Sequence, residues 1–158
     1  MPLFILNIFL AAVLMVLTGS GSISVFFLGF ALGYVILWVT SPLYPETRYF
    51  KKLPKTIHLV LYFLKELLVS NLRVLWDVIT PRHISRPGII GVPLSARTDL
   101  EIFMVANLLS LTPGTLSVDL SEDRKILFVH VMFLEDAQAA KAGIKNGLEK
   151  RVLEVMQP

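Results

Sequence analysis

Two long apolar runs open the chain. Leu3–Leu17 reads LFILNIFLAAVLMVL and Ile23–Val39 reads ISVFFLGFALGYVILWV, with the turn-like Gly19-Ser20-Gly21-Ser22 between them. A membrane span needs about 20 mostly apolar residues, with a lower limit of about 17. With the flanking Met1, Pro2, Thr18 and Thr40 to Tyr44 included, both runs reach that limit, so residues 1–45 are expected to form a two-helix transmembrane hairpin. The first run is not a signal peptide: no Lys or Arg precedes it, no small-residue cleavage site follows it, and a second apolar run comes at once.

From Ile57 to Ile79 the pattern changes to IHLVLYFLKELLVSNLRVLWDVI. At 100° per residue, His58, Tyr62, Lys65, Glu66, Ser70, Arg73 and Asp77 share an arc of roughly 140°. Leucines, valines and isoleucines fill the remainder, and Asn71 is the single polar residue among them. This predicts an amphipathic helix, begun by Pro54 and stopped by Thr80-Pro81. Residues 46–81 are therefore expected to be a basic linker followed by a helix that lies along the membrane interface or on partner helices. A third span is the alternative.

Beyond Pro81 the grammar is that of a small α/β domain, residues 82–158. Ile89–Leu94 reads as a short strand with Pro93 near its end. Thr98-Asp99-Leu100-Glu101 is a capping box that starts a helix running to about Leu111. Leu111-Thr112-Pro113-Gly114 supplies Pro and Gly for the centre of a type II turn. Leu116, Val118 and Leu120 alternate with polar residues as in a half-buried strand, and Lys125–Leu134 is a nearly continuous apolar strand. A final helix is expected over about Asp136–Val155. The order β-α-β-β-α is that of an incomplete ferredoxin-like domain, one strand short. The helix from Thr98 is apolar nearly all round, so its second face must also be covered.

Charge orients these parts. No charged side chain occurs in residues 1–45, whereas residues 46–97 hold nine Lys/Arg against three Asp/Glu, and residues 98–158 hold six against nine. The basic segment beside the hairpin places residues 40–56 and the C-terminal domain in the cytoplasm. A composition that is 54% hydrophobic agrees with a membrane protein. Cysteine is absent, which excludes disulfides, thiol catalysis and thiolate metal sites. No module accompanies the basic segment, so no nucleic-acid partner is expected.

Candidate chemistry is sparse. The hairpin carries no ionisable side chain at depth, so by itself it is not a proton pathway. Gly29 and Gly33 give a small-residue face suited to close helix packing, with Ala11 and Ala12 on the other helix, and Trp38, Tyr34 and Tyr44 suit an interfacial belt. Asn71, Arg73 and Asp77 join the two glycines as candidate subunit-packing residues. For Lys65, Glu66, Arg73 and Asp77 a proton or ion relay and a solvated face with an Arg73–Asp77 pair are the other readings. His58, His83 and His130 sit in three contexts with no metal spacing, His130 being expected in the core. Thr112, Pro113, Gly114 and Thr115 form a plain structural turn. Catalytic residues, metal sites and cofactors are not expected, and nor is enzymatic activity.

YFLKELLVSNLRV (62–74) and ARTDLEIFMVANLLSLTPGTLSVDLSEDRKILFVHVM (96–132) resemble the E subunit of the Mrp/Mnh-type multisubunit monovalent-cation/proton antiporter. Residues 106–124, ANLLSLTPGTLSVDLSEDR, carry the most specific part, and Lys65 departs from the apolar and aromatic choices of that family. The resemblance implies a prokaryotic cell-membrane complex that exchanges cytoplasmic Na⁺ or K⁺ for external protons. In such a complex the large proton-pump-like subunits carry transport, and the E subunit is an accessory, non-catalytic companion of these and other small membrane subunits in the lipid bilayer. A membrane-tethered ligand-sensing module and a self-oligomerising transporter are the alternatives.

Overall fold

The computed structural model describes residues 2–43, 49–81 and 83–157. Tyr44, Glu46, Arg48 and Arg82, used above for the aromatic belt and the basic segment, lie outside the described residues. The chain forms two compact units, residues 1–54 and 55–158.

In the first unit, α1 (Pro2–Thr18) and α2 (Ile23–Val39) form an antiparallel pair. The Gly-Ser turn makes the reversal possible. Gly19 adopts φ +63°, and the N–H groups of Gly19 and Ser20 donate to Val16 O (3.1 Å) and Met15 O (3.2 Å), closing α1 in a Schellman cap. Ser22 then caps α2, its hydroxyl accepting from Ser24 N at 3.3 Å. The helices meet through their smallest residues: Gly29, Gly33 and Leu37 on α2 are buried, as are Ala11 and Asn7 on α1.

Each of these helices is 17 residues, about 26 Å, because Gly19 ends α1 and Thr40 caps α2 before a 3-10 turn at Ser41–Leu43. Of the flanking residues counted toward the expected spans, Pro2 and Thr18 belong to α1, Thr40 caps α2 and Ser41–Leu43 form the 3-10 turn, while Met1 and Tyr44 lie outside the described residues. No helix among the described residues is both long and apolar enough to cross a membrane.

Helix α3 (Tyr49–Ile79) starts earlier than its pattern suggested. Pro54 lies inside it rather than at its start, and Lys51, Lys52 and Lys55 are helical instead of belonging to a linker. As the sixth residue of the helix, Pro54 leaves the Phe50 carbonyl without its i→i−4 donor.

The second unit continues with β1 (Gly88–Pro93), α4 (Asp99–Leu111), β2 (Thr115–Leu120), β3 (Ile126–Val131) and a terminal helix. That helix consists of α5 (Ala137–Ile144), a π turn (Lys145–Glu149) and α6 (Lys150–Met156). The element order matches the expected β-α-β-β-α. The sheet order is β1-β3-β2, antiparallel throughout. Ile90, Val92, Leu127, Val129 and Val131 form the covered face, against Val105, Leu109, Leu148 and Val152.

The other face of the sheet is open. Ile89, Leu116, Val118 and Phe128 are exposed there, and His130 stands among them, opposite Ile89 on one side and Leu116 on the other. The expectation that His130 sits in the core is therefore corrected. Strand alternation puts it on the face opposite α4 and the terminal helix, which no helix among the described residues covers, and it is half-buried.

Candidate functional site

Among the described residues no group of three or more His, Asp or Glu is placed to hold a metal. The informative region is α3 and its seat on the α/β unit. Its polar arc turns inward. Leu59 joins the core, and the Tyr62 ring packs under the Arg151 guanidinium, whose Cζ is 3.7 Å from the ring centroid. Arg151 Nη1 also donates to Asn146 O (3.1 Å) and Gly147 O (2.7 Å), carbonyls of the π turn. Gly147 admits the Tyr62 hydroxyl, since a Cβ there would lie 2.5 Å from it. A π turn widens a helix by one residue and here makes the socket for Tyr62.

A second anchor lies about three turns further along α3. The Arg73 guanidinium sits 5.7 Å from the Phe133 ring centroid. Buried Asp77 accepts from Ile84 N (2.5 Å) and Ser85 N (3.0 Å), and its Oδ2 is 3.6 Å from His83 Nδ1. Burial alone would raise the Asp77 carboxyl, but those two amides and the imidazole hold it below the ordinary carboxylate value. Asp77 thus fastens the connection from α3 to β1, and its partners are these groups rather than Arg73. Between the two anchors, Glu66 and Ser70 look onto a groove of about 420 Å³ whose far wall includes Thr112, Phe133, Glu135 and Asp136. Lys65 lies beside it, 3.7 Å from Glu66 Oε1.

The apolar side of α3 is consequently bare. Leu61, Leu68, Leu72, Trp76, Val78 and Ile79 are each more than half exposed. Asn71 lies among them and donates from Nδ2 to Leu67 O at 2.7 Å. The glycine face assigned to subunit packing is turned instead to α1 of the same chain. A Cβ at Gly29 would lie 2.9 Å from Ala11 Cα, and one at Gly33 would collide with Asn7 Oδ1.

The 112–115 turn has the expected geometry. Gly114 has φ +86°, and Thr115 N donates to Thr112 O at 3.2 Å, closing a type II turn one residue later than Leu111 would have it. The Thr112 and Thr115 hydroxyls donate to Leu108 O (3.0 Å) and Leu109 O (2.6 Å), tying off the end of α4.

Among the described residues two further carboxylates are buried: Glu101, which the sequence placed in its capping box, and Glu149, which it did not single out. Glu101 Oε2 accepts from Arg97 N (2.7 Å) and Thr98 N (3.1 Å), completing the expected capping box. Its carboxyl is held below the ordinary value by the Arg97 amide first, against burial, with Thr98 adding to the effect. Glu149 Oε1 accepts from Ser95 N and from Ala96 N (3.1 Å), while Oε2 has no hydrogen-bond partner among the described residues. Four consecutive amides, 95 to 98, are thereby held by two side chains. The sequence signal was faint: a Glu in the terminal helix, two residues after an unexplained Gly147.

A family model described as Na⁺/H⁺ ion antiporter subunit, MNHE, matches residues 7–155. The chain belongs to this family. Its relatives include the Na(+)/H(+) antiporter E subunit of Bacillus subtilis (strain 168), 39% identical and covering 96% of both chains. The E1 subunit of the Na(+)/H(+) antiporter of Staphylococcus haemolyticus (strain JCSC1435) is 36% identical over 96% of this chain and 95% of its own. Among solved structures, a chain of the Mrp complex from Dietzia sp. DQ12-45-1b is 26% identical, with a TM-score of 0.52 over 63% of this chain and 93% of that one. A chain of the archaeal membrane-bound sulfane sulfur reductase shares the fold, with a TM-score of 0.56 over 95% of this chain and 96% of that one, at 23% identity. Members of the antiporter family are parts of a transporter, not enzymes, and the membrane location expected from the hairpin agrees with that membership.

Proposed function

We propose that the chain is the accessory, non-catalytic subunit of an Mrp-type complex exchanging cytoplasmic Na⁺ or K⁺ for external protons, and that it braces the other subunits. The observation that carries this is the disposition of α3. Arg73 and Asp77 are engaged on the chain's own α/β unit, so they seat α3 there, while the open sheet face and the outward faces of the hairpin are left for neighbours. A relay would need Lys65, Glu66, Arg73 and Asp77 connected along a path, whereas Arg73 and Asp77 serve as anchors.

In this reading α1 and α2 cross the membrane as short spans at the lower limit of length, with the turn outside and the α/β unit in the cytoplasm. Helix α3 stays at the membrane surface, because the α/β unit is seated along it from Leu59 to Asp77 and crossing would carry that unit into hydrocarbon. The sheet, with α4 between β1 and β2 and β3 inserted, is read as a ferredoxin-like sheet lacking its fourth strand. Subunit contacts then fall on the outward faces of the hairpin and on the α/β unit.

The test is antiport by everted vesicles from cells lacking this chain, complemented with Arg73→Ala or Asp77→Ala. Bracing predicts that activity falls only as far as the amount of assembled complex falls. Normal assembly with abolished exchange would overturn the reading in favour of a direct transport role.

A further inference from the structure

We propose that the exposed stripe of α3 is occupied by phospholipid, with acyl chains against its leucines and phosphates along one border. The proposal rests on the reading of α3 as a surface helix of a membrane complex and names what that surface meets. Leu61, Leu64, Leu68, Leu72 and Leu75 centre the stripe, each between 51% and 62% exposed. At 100° per residue, His58, Lys65 and Trp76 fall within about 20° of one another along one edge. All three are exposed, Trp76 at 60% and the Lys65 side chain at 69%. Lys65 Nζ leans over the Tyr62 ring, 5.9 Å from its centroid, away from the leucines. A cation that bends off an apolar stripe beside an indole is the arrangement that suits a headgroup layer. The opposite edge carries Asn71, Val60 and Val78, with neither a cation nor an indole among them.

The same stripe is poorly made for a partner helix. Close helix approach in lipid uses small residues, as Gly29, Gly33 and Ala11 show within the hairpin. The stripe offers only large aliphatic side chains and Asn71. The Asn71 amide donates to its own helix at Leu67 O, so it does not call for a partner.

Absence of native cysteine makes the test direct. Nitroxide labels are placed at Leu64→Cys, Leu68→Cys and, as a loop control, Glu122→Cys. The full chain is reconstituted in phosphatidylethanolamine/phosphatidylglycerol nanodiscs, alone and with its co-purifying subunits. The proposal expects mobile labels at 64 and 68 that collide with oxygen and are shielded from a water-soluble nickel chelate, in both samples, and the reverse at 122. Nickel access at 64 and 68 would put the stripe in water. Immobilised labels shielded from both reagents would put it against protein. Either result overturns the proposal. Trp38→Phe leaves Trp76 as the sole indole, and bromines near the headgroup should quench it about twofold more than bromines at the chain end. Equal or inverted quenching counts against the assigned border. Loss of the other subunits on purification would instead remove the accessory reading while leaving the label pattern intact.

Discussion

Two glycines one turn apart on the terminal helix should respond to the same substitution with opposite sign. Gly143 faces open space, with nothing within 4 Å of a built Cβ. Gly143→Ala therefore gains helix propensity, about 1 kcal/mol. Gly147 faces Tyr62, and a Cβ would lie 2.5 Å from its hydroxyl, roughly 0.9 Å inside ordinary contact. The ring cannot simply retreat, because Arg151 lies 3.7 Å over its centroid and is itself tied to the π-turn carbonyls. Overpacking costs about 1–3 kcal/mol and partial loss of the stacking adds about 1, against the same propensity gain. The net loss is about 1–3 kcal/mol, so the two variants differ by about 2–4. Hydrogen exchange in the full chain reads this as a roughly 30- to 700-fold difference in opening of the 59–63 segment of α3. Tyr62→Phe in the Gly147→Ala background removes the colliding oxygen and should recover part of the loss. Equal protection in the two glycine variants, or no recovery on removing the hydroxyl, would refute the socket.

Glu149→Ala should leave the buried Ala96 N–H unpaired, a cost of about 1–3 kcal/mol seen as faster exchange at that amide, with Glu149→Gln milder. Thr98→Ala removes the cap from Glu101 N and should cost about 1 kcal/mol, localised to the first turn of α4 in the same experiment. Asp77 and Glu101 both have lowered folded-state values, so their contributions are complete at neutral pH. They begin to fade as pH falls past the ordinary 3.8 and 4.5, and are lost once it has fallen through the lowered values. The Asp77 carboxyl-carbon shift followed in a His83→Gln background from pH 7 downward should stay constant until that acid range, and carboxyl protonation near neutrality would contradict the assignment. Gly33→Leu should part α1 from α2 at Asn7 and lower the yield of assembled complex, whereas Val35→Leu, on the outer face of α2, should not.

Pattern and turn chemistry carried most of the α/β unit. The capping box at Thr98 and the type II geometry at Gly114 are local devices, so their residues announce them. The alternation in β2 announced a strand but not its face, since Leu116 and Val118 are exposed and Ser117 turns to α4. What sequence left open was long-range. Hydrophobic periodicity shows that α3 has two faces but not which one the domain takes, and the choice went to Tyr62, Arg73 and Asp77 through partners 50 or more residues away or across a tight turn. His130 was misplaced because an apolar strand with both faces hydrophobic does not say which face is covered. Gly29 and Gly33 announced a close approach, yet only the tertiary structure shows that α1 supplies it. The π turn had no sequence signal beyond Gly147, since its cause is the side chain that it admits.

The most direct test of the accessory role is purification of this chain from native membranes in mild detergent, with quantitative mass spectrometry of what accompanies it. The account predicts stoichiometric recovery of large many-span subunits together with several small ones. Recovery of the chain alone, under conditions that keep other membrane complexes intact, would contradict it.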